Sequence, residues 1–337
     1  MRRLTLILSD LYLPEEAARA AAVQPLELPH LDWLLRFAHS THITDWRHWL
    51  ARDLGRADLV SPAATLAAGE VAAAGDFVWL ATPVRLEARL DHVRMLERGL
   101  PRVAAAERDQ WREEFTRTFA PYVLHDAGPR GFVLSGLAPA QVETVDPARL
   151  LDTEIGHALP SGAPARELRR LSAEIEMWMH GATVNLARER SGLPRLTSLW
   201  LWGGGPRLPL PPRALPENRS ILHFHGDDPA FAALARATIG AFPTNVPAGF
   251  AEVRAASDRV LVELMPINGA PAESLAALEA NWFAPVRAAL SDGTLAAFDI
   301  IANDRWFRVA ARPAWRLWRG NKPWLTQLGQ RHARTKA

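Results

Sequence analysis

The sequence predicts an α/β fold, a mostly parallel β-sheet with helices on both faces. Three observations carry this expectation. Short apolar, β-prone runs recur along the chain, from Leu4–Leu8 to Ala296–Ile301. Stretches with helical spacing separate them, and parallel strands need such crossovers to be joined at all. The composition, 48% hydrophobic and 23% charged over 337 residues, is that of a globular protein with room for two domains or one α/β unit with an insertion.

The elements follow in order. Leu4–Leu8 reads as a buried strand ending at Ser9–Asp10. Pro29 opens a helix over His30–Phe37, with Leu31, Leu34 and Leu35 on one face. A second helix is expected over Thr44–Leu54, with Asp45 near its start, and an Ala-rich one over Ala63–Ala74. Phe77–Leu80 is a strand, Ala104–Thr118 a charged helix, and Tyr122–His125 and Phe132–Ser135 pair around a turn at Gly128–Gly131. Pro139–Pro164 reads as loop. One long helix is expected over Ala165–Arg190, stopped by Gly192 and Pro194. Strand Thr197–Trp202 leads into Gly203–Gly205 and a Pro-rich loop. Then come strand Ile221–Phe224, helix Pro229–Ile239, strand Val260–Leu264, helix Ala272–Leu290 and strand Ala296–Ile301.

Composition also excludes chemistry. With no cysteine there are no disulfides, thiolate zinc sites, iron–sulfur clusters or cysteine nucleophiles. No apolar run reaches the roughly 18 residues of a membrane span, and the N-terminus reads as a strand rather than a leader, so a cytoplasmic protein is expected. Charge is uneven. Nine basic residues and no acid follow Asp304, against 30 basic and 37 acidic residues up to and including it. Trp306, Trp315, Trp318 and Trp324 are interleaved with those cations, a pattern that suits nucleic-acid binding or a terminal helix packed by its tryptophans.

The strongest site signal is His180, Asn185 and Arg188 on one helix face, followed by Trp200, Trp202, Gly203, Gly204 and Gly205. Glycines after a strand let a backbone cradle an anion, and Arg188 can offer a bidentate fork. The same residues can instead brace a tight turn. A second signal is His223-Phe224-His225-Gly226-Asp227-Asp228, where two histidines share a strand face and either aspartate suits a helix N-cap. His39, His42 and His48 cluster with Asp45 on what reads as a solvated face, and Asp91–His92 reads as surface.

Several segments resemble the archaeal-type cofactor-independent phosphoglycerate mutases of the alkaline phosphatase superfamily. Leu28-Pro29-His30-Leu31-Asp32-Trp33-Leu34 is similar to that family's Thr-Pro-Asn-Leu-Asp-x-Leu helix start, and Gly75–Thr82 to the strand that opens its inserted domain. His180 to Gly205 is similar to its His-Pro-x-Asn-x-x-Arg … Arg-Gly-x-Gly run. Closer in wording is a proteobacterial group labelled phosphoglycerate-mutase-like or regulatory protein of RpfE type, whose hallmark resembles Glu174-Ile175-x-Met177, His180, Asn185 and Ser198–Gly205. The resemblance implies an alkaline-phosphatase-like core over 1–74 and 166–337, with a small α+β insertion over 75–165.

It also implies what is missing. Phosphomutases of this superfamily hold two divalent metals between Asp and His ligands and use a Ser nucleophile. Asp10 matches the first ligand, and Thr44–Asp45 stands where the nucleophile's Ser-Asp would be. The late Asp-His-Ser/Thr motif has no counterpart. After His225 the only histidine is His332, and Asp292, Asp299 and Asp304 stand apart; Trp202 replaces an arginine. The expectation is a non-catalytic binding or regulatory protein without cofactor, recognising a small anionic ligand or a protein partner through the His180–Gly205 residues. One alternative is a metal-dependent phosphomutase or phosphatase drawing on Asp10, Thr44, His223, His225 and Asp227, with a divalent metal. The other is nucleic-acid association through the basic tail.

Overall fold

The computed structural model describes residues 1–12, 26–57, 76–96, 99–207, 222–241, 243–253, 258–265, 271–312, 320 and 323–329. The helix expected over Ala63–Ala74, and Trp315 and Trp318, lie outside them. In chain order the elements begin with β1 (Arg3–Leu8), α1 (Pro29–Phe37), β2 (His39–His42), α2 (Trp46–Asp53), β3 (Phe77–Val84), β4 (Leu86–Ala88) and β5 (Val93–Met95). Next are α3 (Ala105–Phe119), β6 (Val123–Asp126), β7 (Phe132–Ser135), α4 (Arg166–Gly181), α5 (Thr183–Arg190) and β8 (Ser198–Pro206). They continue with β9 (Leu222–His225), α6 (Pro229–Ile239), α7 (Phe250–Val253), β10 (Arg259–Leu264) and α8 (Pro271–Leu278). Last come α9 (Ala284–Asp292), β11 (Ala297–Ala302), β12 (Arg305–Ala310) and α10 (Trp324–Gly329). The chain divides into two compact units. One comprises Met1–Trp49, Pro216–Gly226 and Thr244–Ala337, the other Leu50–Leu215 and Asp227–Pro243.

The first unit carries a six-stranded sheet in the order β2-β12-β11-β1-β10-β9. β9, β10, β1 and β11 run parallel, as the alternating pattern demands, and β12 and β2 continue the sheet antiparallel. Alternation sends Leu4, Leu6 and Leu8 to one face with Val260, Val262, Phe298 and Ile300. Leu31, Leu34 and Leu35 of α1 cover that face, with Val286 and Leu290 of α9 and Trp324 of α10. Each fully buried leucine there contributes about 1.5–3 kcal/mol. On the opposite face, Trp49 of α2 lies with its ring 5.4 Å from that of Trp306.

Two expectations change in this unit. The stretch after Asp304 begins as β12, not as a helix. Asn303 and Asp304 have φ of 48° and 59°, the left-handed pair of a two-residue hairpin turn that returns β11 into β12. The helix expected over Ala272–Leu290 is broken by a π turn at Glu279–Phe283. Pro285 is the cause: it has no N–H for the Asn281 carbonyl four residues earlier, and its ring would clash with it, so the backbone widens.

The second unit carries a four-stranded antiparallel sheet, β6-β7-β3-β8, and the β4–β5 ribbon. Trp79, Phe132, Leu134, Leu199 and Leu201 face α3 and α4, meeting Trp111, Phe115, Leu171 and Ile175. Val78, Leu80, Val133, Trp200 and Trp202 face the other way, onto Leu150, Leu151 and Ile155 of the loop segment. α4, α5 and β8 thus belong with the residues expected to form the insertion. β8 pairs with β3 from Ser198 to Pro206.

Candidate functional site

The His180–Gly205 residues all lie in the second unit, where the expected single helix is two. The chain leaves helical geometry at Ala182 (φ −60°, ψ 137°) and restarts as α5. Such a break strips the Met179 and His180 carbonyls of their helical donors. Asn185, with no exposed surface, replaces one of them: its Nδ2 donates to Met179 O at 2.6 Å and to Leu196 O at 2.7 Å. Its Oδ1 accepts from the Leu196 N–H at 2.9 Å. Arg195 donates to the His180 carbonyl, and the His180 side chain is exposed. Arg188 donates from Nε to Pro194 O at 2.9 Å and from Nη1 to Glu107 at 2.8 Å, tying α5 to the first turn of α3. Asn185 and Arg188 therefore serve as a brace, the second of the two roles the sequence allows them. The charge of Arg188, a residue 6% exposed, is paired with Glu107.

The aromatic and glycine half of the motif is elsewhere. Trp200 donates to Val145 O at 2.8 Å and Trp202 to Thr82 Oγ1 at 2.9 Å, both on the sheet face away from α4. Gly203, Gly204 and Gly205 are not a loop after the strand but part of β8. The β3–β8 register shifts between Val78 and Leu80, and Gly203 (φ +62°) supplies the left-handed residue such a bulge needs. A Cβ on Gly204 would lie 2.5 Å from the buried Trp79 indole, so glycine is there to admit that ring. Gly203 N–H donates to Thr144 Oγ1 at 2.9 Å, and Gly205 is buried. The sheet separates Trp200 and Trp202 from Asn185 and Arg188, so those tryptophans and that pair do not line one crevice.

In the first unit the carboxyl ends of the parallel strands, where open α/β sheets place ligands, hold a different group. Asp10 is 1% exposed just past β1. Beside it Ser9 hydrogen-bonds the fully buried Glu263 of β10, and its Oγ lies 3.0 Å from Leu264 O. Backbone bonds stitch this edge together: Ser9 N–H to Leu264 O, Asn303 N–H to Leu11 O and Ile43 N–H to Asp304 O. Thr44 is exposed, and Asp45 accepts the Arg47 N–H at 2.6 Å as the start of α2. His223 is exposed. His225 Nδ1 lies 3.1 Å from Asn245 O and 2.7 Å from Thr244 Oγ1, and burial lowers its pKa, helped by the neighbouring His223.

In the second unit, Asp227 is held by Arg102 and by Arg130 at 2.7 Å, and Asp228 caps α6 through the Ala230 and Phe231 N–H groups. Among the described residues no group of three or more His, Cys, Asp or Glu side chains has the geometry for a metal ion.

Arg305 and Arg308 of the basic tail are engaged within the fold. Asp299, fully buried in β11, accepts from Arg308 at 2.8 Å, from Trp306 at 2.9 Å and from Arg3. Trp324 is buried and donates to Leu26 O at 2.9 Å. The sequence marks Ser9 only as a strand end and Asp299 only as an isolated acid, and Glu263 went unremarked. The signal of the two acids was an acid set inside a β-prone apolar run, in Val260–Leu264 and Ala297–Ile301. Among the described residues no helix is long and apolar enough to cross a membrane.

No protein-family model matches the chain, and no curated protein matches it. Among solved structures it is similar to the cofactor-independent phosphoglycerate mutase of Thermoplasma acidophilum, with 16% identity and a TM-score of 0.38, over 92% of this chain and 89% of that one. It is also similar to the PH0037 protein of Pyrococcus horikoshii, with 13% identity and a TM-score of 0.44, over 92% of this chain and 87% of that one.

Proposed function

We propose that this chain is a non-catalytic, phosphoglycerate-mutase-like protein that acts by binding, in a regulatory role of the RpfE-type kind. The observation that carries the reading is the brace. The Asn185 and Arg188 that the resemblance matches to phosphomutase site residues spend their hydrogen bonds on Met179, Leu196, Pro194 and Glu107. Trp202 in place of an arginine, and the missing late Asp-His-Ser/Thr motif, support it further. A small anion at Arg188 is no part of this reading, because that side chain is buried and its charge is paired with Glu107.

The test is turnover. Protein loaded with manganese or zinc is assayed on 2- and 3-phosphoglycerate and on p-nitrophenyl phosphate, beside an Asp10→Asn variant. The reading expects both proteins to match the blank. Turnover by the unmodified chain that the variant loses would overturn it in favour of the phosphotransferase.

A further inference from the structure

We infer that the outer edge of β4, in the β4–β5 ribbon of the second unit, is a docking site for an extended segment of a partner protein, apolar at alternate positions and basic at its ends. The hydrogen bonds of the ribbon set which backbone groups it keeps. Arg89 N–H donates to His92 O at 2.8 Å at the turn, and Leu96 N–H to Arg85 O at 3.0 Å at the root. Bonded and non-bonded positions alternate along an antiparallel pair. Glu87 and Arg94 therefore bond each other, and Leu86, Ala88, Val93 and Met95 turn their backbone groups outward. The outward edge of β5 is taken. Met95 N–H donates to Thr153 O at 3.1 Å, and the Asp152 and Ile155 N–H groups donate to Met95 O and Val93 O, each at 3.0 Å. On β4 only the Leu86 N–H is used, by Thr197 Oγ1 at 2.6 Å. Leu86 O and both backbone groups of Ala88 have no partner among the described residues.

The side chains beside that edge are apolar. Leu86 and Met95 face each other and pack on the buried cluster of Leu80 and Ile155. Ala88 and Val93, the next pair out, share that face by alternation and are exposed, Val93 at 38%. Leu90 follows in the turn, wholly exposed, where turns favour Pro, Asp or Ser. The apolar stripe of the core thus continues onto the surface beside an open edge. β4 carries no lysine, proline or bulge of the kind that blunts an edge strand. An added strand fits both features, its main chain bonding the edge and its alternate side chains covering the stripe.

Charge specifies the ends of the segment. Glu87 is paired with Arg89 at 2.9 Å. Asp91 and Glu154 share one partner, His92, at 2.6 and 3.5 Å, so the tip of the ribbon is acidic and favours a Lys or Arg of the incoming chain. β4 is three residues long and offers few main-chain bonds, which suits a weak, transient partner. The site does not depend on whether the chain turns over phosphate esters, so it stands or falls apart from the reading above.

Calorimetric titration of the full chain with three capped heptapeptides tests it: Lys-Val-Thr-Val-Thr-Val-Lys, the same peptide with glutamate at both ends, and the same peptide with proline at its centre. The expected result is saturable binding of the first at about millimolar concentration or below, with each of the other two at least about fivefold weaker. Ala88→Pro removes an N–H that bonds nothing in the fold, so it should weaken the first peptide by at least about fivefold at an unchanged melting temperature. If that variant does not fold, Val93→Lys keeps the test open. It places a cation on the exposed end of the apolar stripe and should weaken the same peptide by a similar factor. No saturable binding of the lysine-ended peptide, equal affinity for the glutamate-ended or proline peptide, or undiminished binding by either variant would overturn the inference.

Discussion

Replacing Asn185 by alanine separates a brace from a ligand site. The side chain makes three hydrogen bonds, at 2.6, 2.7 and 2.9 Å, to Met179 O, Leu196 O and Leu196 N–H. Alanine leaves all three backbone groups without that partner at a position with no exposed surface. Met179 O keeps the Ala182 N–H at 3.4 Å, and each buried polar group left unmade costs about 1–3 kcal/mol, so the loss should be about 3 kcal/mol once an entering water relieves part of it. With a urea dependence of about 2–3 kcal/mol per molar, the unfolding midpoint of the second unit should fall by about 1–2 M. Asn185→Asp should do no better. It keeps the acceptor for Leu196 N–H but turns a carboxylate towards two carbonyl oxygens. Urea unfolding followed by circular dichroism reads both variants. A loss below about 1 kcal/mol for Asn185→Ala would refute the brace and return Asn185 to the list of residues free to meet a ligand.

Three further outcomes are expected. Gly204→Ala drives a Cβ into the Trp79 ring and should cost about 1–3 kcal/mol in thermal or urea unfolding; a neutral result would mean that the ring has room to move. Asp299→Asn takes a buried carboxylate away from Arg3 and Arg308 and should destabilise the first unit by about 3 kcal/mol, and an unchanged urea midpoint would remove Asp299 as its organising charge. Burial, reinforced by the charges of Arg112 and Arg207, lowers the pKa of His125 below its ordinary 6.5. A histidine depressed in the folded state adds stability that is full above its unfolded pKa and is lost as pH falls through the folded value. Unfolding free energy should therefore drop as pH falls below about 6.5, and His125→Gln should flatten part of that slope, with His225 keeping the rest; an identical slope in the variant would contradict it.

The parallel sheet was legible because its strands are written as short apolar runs between helical ones, and β1, β9, β10 and β11 fall where those runs predict. What stayed hidden depends on contacts distant in sequence. His39–His42 is too polar to read as a strand, and becomes one only as the edge partner of β12. The helix break at Ala182 is held by Leu196 and Arg195, which come more than ten residues later, so helical periodicity ran straight through it. The π turn was legible in principle, from Pro285 within a helical run. The Asn303–Asp304 hairpin was also legible, since that pair tolerates the positive φ a two-residue turn needs. The candidate site was legible as a set of unusual residues, but the backbone groups and rings they meet were not. Three glycines beside two tryptophans are equally the mark of a backbone making way for a ligand and of one making way for Trp79, and only the β3–β8 register distinguishes them.

The central claim is that the phosphomutase-like residues of this chain hold its fold together and do not assemble a metal-dependent phosphoryl-transfer centre. Its most direct test is metal content. The purified protein is equilibrated with manganese and zinc, desalted, and analysed for metal per chain beside Asp10→Asn. The account predicts well under one retained ion per chain, the same in both proteins. About two ions per chain, lost when Asp10 is replaced, would contradict it.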